Sequence, residues 1–235
     1  MIDFHSHILP CIDDGSCSID MTCKMLREEV SQNVDTVIAS HHFYYQRTDM
    51  EEFFKKREIG LEITRQEIKS QGININVIPG AEVYLVPGIA EFDKLKELCI
   101  EGTNCIMIEL PGNEWTGWVY NELYKLKNYG YIPILAHLER YSKILSDNTK
   151  ILKLLEMEFV IQINTGDIGV FSYNKIIDKI VKSGRPVVLG TDSHNDKSRP
   201  VDFLKGYNAF KRRYGVSLAE NIIETSKKVL MEDVF

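Results

Sequence analysis

Several common catalytic signatures are missing from this chain. None of its five cysteines (Cys11, Cys17, Cys23, Cys99, Cys105) is followed six positions later by arginine, so a Cys-x5-Arg phosphate cradle is absent. There is no GxxxxGK or GxGxxG loop to wrap a nucleotide's phosphates and no GxSxG elbow to expose a serine. The cysteine count is odd, with no CxxC pair, and 235 residues can bury a core without disulfides; a reducing, cytoplasmic setting is expected. Apolar runs stay short of the ~18 residues of a membrane span, so direct membrane insertion is not expected. The opening Met1-Ile2-Asp3-Phe4-His5 enters a strand-like run at once, and no signal peptide is expected there. Positive charge is outnumbered, 28 Lys and Arg against 34 Asp and Glu, and the net −6 argues against nucleic acid as a partner.

Histidine is scarce too, yet all six fall where apolar runs end: His5 and His7, His41 and His42, His137, and His194. Carboxylates stand in the same kind of context at Asp3, Asp14, Glu82, Glu109 and Asp192. Neutral imidazole and carboxylate together suit divalent first-row metals, and histidines scattered by chance would not collect in this way. The pattern reads as a polynuclear metal site.

Seven short apolar runs predict strands at 2–5, 36–40, 74–79, 105–110, 131–137, 159–164 and 186–191. Between them Ile19, Cys23, Leu26 and Val30, and then Met50, Phe53, Arg57 and Leu61, recur at helical spacing. Gly72, Gly130 and Gly184 sit where left-handed helix caps are wanted, and helices at about 203–214 and 217–230 would close the chain. Strand alternating with helix implies parallel pairing with helices outside, in one domain over 1–235, one strand short of an eight-fold barrel. Active sites of such folds lie at the carboxyl ends of the strands, where nearly all the candidates fall. Only the sixth strand, ending Gln162-Ile163-Asn164, offers no obvious ligand. The irregular, aromatic stretch 41–48 reads as a lid or a substrate wall.

His5-Ser6-His7 puts two imidazoles on one side of an extended chain, a chelating geometry, although a hydrogen-bonded core pair explains the spacing equally well in isolation. Asp192-Ser193-His194 repeats it. Asp13-Asp14-Gly15 is first of all a turn, in which either aspartate can serve as a cap. Glu82 and Glu109 lie in or beside apolar runs, where a carboxylate must bind metal or pair with a core arginine, since lone burial costs several kcal/mol. Arg140 and Arg199 offer planar forks suited to phosphate oxygens, or else serve as ordinary ion pairs.

With these residues in view, the chain resembles the PHP (polymerase and histidinol phosphatase) superfamily, and more closely the bacterial tyrosine-protein phosphatases of the CpsB/YwqE type that act in capsule and exopolysaccharide regulation. The likeness runs nearly end to end, through MIDFHSHILPCIDDGS, SHHF, PGAEVY, MIEL, PILAHLERY, GTDSHNDKSRP and ENIIETSKKVL. It implies a distorted TIM-like (β/α)7 barrel of PHP type and a metal-dependent phosphomonoesterase that hydrolyses phosphotyrosine. Three divalent ions are implied, manganese first, with iron or zinc also suited. His5, His7, Glu82 and Asp192 would hold one ion; Glu82, Glu109 and His137 a second; Asp14, His42 and His194 the third. Arg140 and Arg199 would be the catalytic phosphate clamp, and His41 has no ligand counterpart. The implied substrate is the tyrosine-rich tail of a membrane-associated bacterial tyrosine kinase. A histidinol-phosphate-type phosphatase, a polymerase-associated PHP nuclease (disfavoured by the acidic chain) and a metal-bound but inert scaffold subunit are the alternatives. HLER stands where relatives commonly have HPER, TDSHN where SDAHN is commoner, and Cys11 and Cys17 flank the DDG loop; none of these departures removes a ligand.

Overall fold

The computed structural model describes residues 1–113 and 115–235. Every strand pairing in it is parallel. A three-stranded sheet joins β1 (Ile2–Ser6), β2 (Thr36–Ala39) and β4 (Asn76–Pro79). A six-stranded sheet runs β3 (His42–Phe43), β5 (Glu82–Tyr84), β6 (Cys105–Glu109), β7 (Ile132–Leu135), β8 (Val160–Asn164) and β9 (Val187–Gly190), in that order. The seven expected strands are all present. The two short ones, β3 and β5, were not anticipated, because each follows a break of two residues after β2 and β4 that moves the chain into the second sheet. Backbone bonds cross both breaks, with Gly80 N–H donating to the Ala39 carbonyl and Glu82 N–H to the His41 carbonyl, each at 2.9 Å. At the other end His7 N–H donates to the Ser193 carbonyl at 2.9 Å and Asp192 N–H to the His5 carbonyl at 2.7 Å, tying β1 to the segment after β9.

Helices α1 (Ile19–Ser31), α2 (Met50–Gln71), α3 (Gly117–Asn128), α4 (Asn148–Glu156), α5 (Phe171–Lys182), α6 (Phe203–Tyr214) and α7 (Val216–Leu230) complete the alternation. Ser18 caps α1 by accepting from Met21 N–H, and Asp49 caps α2 by accepting from Glu52 N–H. Gly72 ends α2 at φ 63°, a left-handed cap that costs glycine no Cβ clash. No described helix is long and apolar enough to cross a membrane.

Side chains alternate between two apolar layers, as the two-residue period of a strand requires. On β6, Ile106 and Ile108 pack in the larger cluster with helix residues such as Leu123 and Leu126, while Cys105 and Met107 meet Phe4, Ile38, Ile134, Val160 and Val188 in a smaller one. Continuing the second row by steps of two toward the strands' carboxyl ends reaches Glu109 from Met107, Gln162 and Asn164 from Val160, and Asp192 from Val188. The polar site is thus the carboxyl-end continuation of an apolar layer. Gly190 is required there, since a Cβ would lie 2.5 Å from the His5 Cβ.

Candidate metal centre

All nine residues expected as metal ligands converge at this end. The fit to cations is clearest at the imidazoles. His5 Nδ1 faces the Gln162 side-chain oxygen at 3.1 Å, so Nδ1 carries the proton and Nε2 is left as a lone pair. His7 donates through Nδ1 to Asp13 at 2.7 Å and likewise turns Nε2 inward. The two Nε2 atoms stand 3.2 Å apart, and each is 3.3–3.6 Å from Glu82 Oε2 and Asp192 Oδ1. Lone pairs facing lone pairs at these distances demand a cation, or protons, between them.

Glu82 is the hub. Its Oε1 lies 2.8 Å from His137 Nε2, and its Oε2 lies 2.8 Å from His42 Nδ1 without hydrogen-bond alignment. Glu82 Oε2, Glu109 Oε2, His42 Nδ1 and His137 Nδ1 are buried with no hydrogen-bond partner among the described residues. Such atoms are costly unless something occupies their lone pairs. Ligand atoms gather within 4.8 Å of one another in sets that include His5, Glu82 and His137; His5, His7 and Asp192; His7, Asp14, His42 and His194; and His42, Glu82 and Glu109. Asp14 is the most exposed of these side chains, 3.6 Å from His42 Nε2 and 3.4 Å from His194 Nε2. Glu109 has no arginine partner among the described residues, which removes the buried ion pair as its explanation.

The electrostatics agree. Burial, and then the neighbouring charge of Glu82, push the Glu109 carboxyl up. Burial alone would lower His7, but its hydrogen bonds to Asp13 and Glu82 prevail and lift it to about 10. His5 is likewise raised, burial being outweighed by Glu82 and Asp192. Protons thus stand in for missing positive charge. His194 behaves differently: burial, then His7 and Arg199, bring it to about 4, so it is a neutral imidazole. Its Nδ1 donates to the Asp192 carbonyl at 3.0 Å, and its Nε2 accepts from Arg199 at 2.7 Å.

Both expected clamp residues are at the site. Arg140, in a short 3-10 turn (Leu138–Tyr141), donates from Nε to Asp167 at 2.9 Å and from Nη1 to Asp192 at 2.7 Å. Arg199 Nη2 stands 2.6 Å from the other Asp192 oxygen. His137 and Asp192 adopt φ of 34° and 55°, left-handed conformations unusual for residues with a Cβ, and both belong to the candidate ligand set.

Sequence reasoning missed the residues that orient this set. Asp13, read as a turn residue, accepts from His7 and, at 2.8 Å, from His41 Nδ1, and also from the backbone N–H of His42. His41 is fixed in turn by accepting from Leu9 N–H through Nε2, so it serves Asp13 rather than the centre. Gln162 and Asn164, on the strand without an apparent ligand, hold His5 and, at 3.0 Å, Asp192. Asp3 is not at the centre; it accepts from the backbone N–H of His5 and Thr191 and stitches β1 to the residue that follows β9. Carboxamides inside a strand are the one signal that could have found Gln162 and Asn164, since a buried carboxamide needs partners.

Comparison with known proteins fits this geometry. A family model described as capsular polysaccharide synthesis, CpsB/CapC, matches residues 1–232. The chain is 30% identical to CapC of Staphylococcus aureus over 99% of its own length and 92% of that protein. It is 28% identical to the tyrosine-protein phosphatase YwqE of Bacillus subtilis, over 98% and 91% of the two chains. A solved structure from work on YwqE of Bacillus subtilis and CpsB of Streptococcus pneumoniae, described as unique metal-dependent tyrosine phosphatases, superposes with a TM-score of 0.85 at 27% identity, over 98% of this chain and 94% of that one. The chain therefore belongs to the CpsB/CapC family of capsular polysaccharide synthesis proteins.

Proposed function

We propose that this chain is a cytoplasmic, single-domain (1–235), metal-dependent protein-tyrosine phosphatase, a distorted (β/α)7 barrel holding three divalent ions. One observation carries the reading: inward lone pairs of His5 and His7, 3.2 Å apart, share their space with Glu82 and Asp192 beneath two guanidinium groups. Barrel closure is supported by the backbone bonds between β1 and the segment after β9. His5, His7, Glu82 and Asp192 form one ligand set, Glu82, Glu109 and His137 a second, and Asp14, His42 and His194 a third. This mixed shell suits manganese, with iron and zinc as neighbours in preference.

Bound divalent ions would supply positive charge to phosphate oxygens and bring the acidity of water toward neutrality. The remaining work falls to the chain. Asp13, Gln162 and Asn164 fix the tautomers and directions of His5, His7 and Asp192. Arg140, held by Asp167, and Arg199 present planar donors to the equatorial oxygens, where charge builds during in-line displacement. The cavity they line with His42, Glu109 and His137 has a volume of about 350 Å³, room for a phosphate ester. A phenol leaving group, with a pKa of about 10, asks for less protonation than an alcohol would. The substrate we infer is the tyrosine-rich tail of a membrane-associated bacterial tyrosine kinase, in keeping with the family's place in capsule synthesis. The test is hydrolysis of a phosphotyrosine peptide after exhaustive chelation and reconstitution with single metals. Activity that persists in verified metal-free protein refutes the reading.

A further inference from the structure

The Tyr44 hydroxyl faces the Glu109 carboxylate, but the metal site does not account for the placement of its ring. Tyr44 directly follows β3, whose register sets His42 beside Glu82. Three cavities adjoin there: the chamber of about 350 Å³ over the candidate ligands, one of about 530 Å³ toward α2, and one of about 250 Å³ beside Tyr84. Tyr44 lines all three, and no other described residue does. Its ring lies 5.3 Å from the His42 ring and 5.6 Å from the Tyr84 ring, tilted to each, and is partly exposed. The chamber's other aromatic, Tyr141, is committed: its hydroxyl donates to the Leu110 carbonyl at 2.6 Å, and Trp115 and His137 pack at 5.3 and 6.1 Å.

We propose that the Tyr44 ring is the platform that receives the aromatic leaving group of the substrate, making it a residue that sets selectivity for aryl over alkyl phosphates. The inference rests on the phosphatase reading. A phosphate gripped by Arg140 and Arg199 must direct its ester substituent out of the chamber, and Tyr44 is the wall that chamber shares with both neighbouring cavities. A phenyl ring can meet the tyrosine ring in a tilted or offset pairing at the usual centroid separation of about 4.5–7 Å. A short alkyl group has neither the reach nor the π face to do so. Selectivity would then come from the ring and not from the hydroxyl.

The experiment uses the full chain loaded with manganese and measures kcat/KM for phenyl phosphate relative to glycerol 2-phosphate. The ratio cancels any loss of folded protein or of metal, and comparing it between variant and native protein cancels the intrinsic difference between the leaving groups. In Tyr44→Leu the ratio should fall by about tenfold, the scale of one aromatic pairing. Tyr44→Phe should keep it within about twofold of the native value. A ratio retained in Tyr44→Leu overturns the proposal. So does a fall in Tyr44→Phe equal to that in Tyr44→Leu, which would assign the effect to the hydroxyl. If the native protein turns over neither ester, the phosphatase reading fails and the proposal with it; turnover with an unchanged ratio sinks the proposal alone.

Discussion

Glu109→Gln separates a metal ligand from a structural carboxylate more cleanly than any other change. Glutamine keeps the shape and removes the charge. Because no arginine among the described residues pairs with Glu109, and burial and Glu82 push its carboxyl up, its negative charge works against the metal-free fold. The metal-free variant should therefore melt no lower than the native protein. The ion that Glu82, Glu109 and His137 would hold tells the opposite story. At a free metal concentration of 100 times its Kd, such an ion stabilises by about 2.7 kcal/mol, which is roughly 5–11 °C in Tm for a chain of this size. A ligand loss that weakens the site about 100-fold leaves roughly 0.4 kcal/mol, about 1 °C, at the same concentration. Thermal melts with chelator and with a manganese titration measure both numbers, and kcat should fall by about two orders of magnitude, the scale of losing one charge-stabilising contact. The reasoning is refuted if the metal-free variant loses about 3–5 kcal/mol, as removal of one partner of a buried ion pair would, while the manganese increment survives.

Arg140→Lys should lose about 2–4 kcal/mol in kcat/KM with metal content unchanged, because lysine cannot reach Asp167 and a phosphate with parallel donors; near-native hydrolysis by the fully loaded variant transfers the clamp to Arg199. Asp13→Asn should weaken metal binding by about 10–100-fold through His7, measurable by competition with a chromogenic chelator; unchanged affinity would return Asp13 to the role of a turn residue. In the metal-free protein His7 has its pKa raised to about 10, so its contribution is complete below the unfolded value near 6.5 and is lost as pH rises toward about 10. Melts in chelator from pH 6 to 10 should show that decline, and a flat profile would contradict it.

The local pattern of the chain sufficed for seven strands, the helices between them, and the histidines and carboxylates at the strands' ends, because burial and the two-residue and 3.6-residue periods are written in neighbouring residues. The same locality explains what stayed hidden. Gln162 meets His5 across 157 positions and Thr191 meets Asp3 across 188, so neither partner appears in the other's surroundings. Asp13 looks like a turn residue in sequence and becomes an anchor only once the loop folds under His41 and His7. Gly15 shows how tightly: a Cβ there would lie 2.3 Å from the His7 carbonyl oxygen. Strands β3 and β5 escaped notice because two or three residues carry no periodicity, and only the passage from one sheet to the other makes them pair. Residue type thus settled which chemistry the chain can support. The tertiary structure decided which nitrogen of each imidazole faces inward, since that depends on a hydrogen bond supplied from a distant strand.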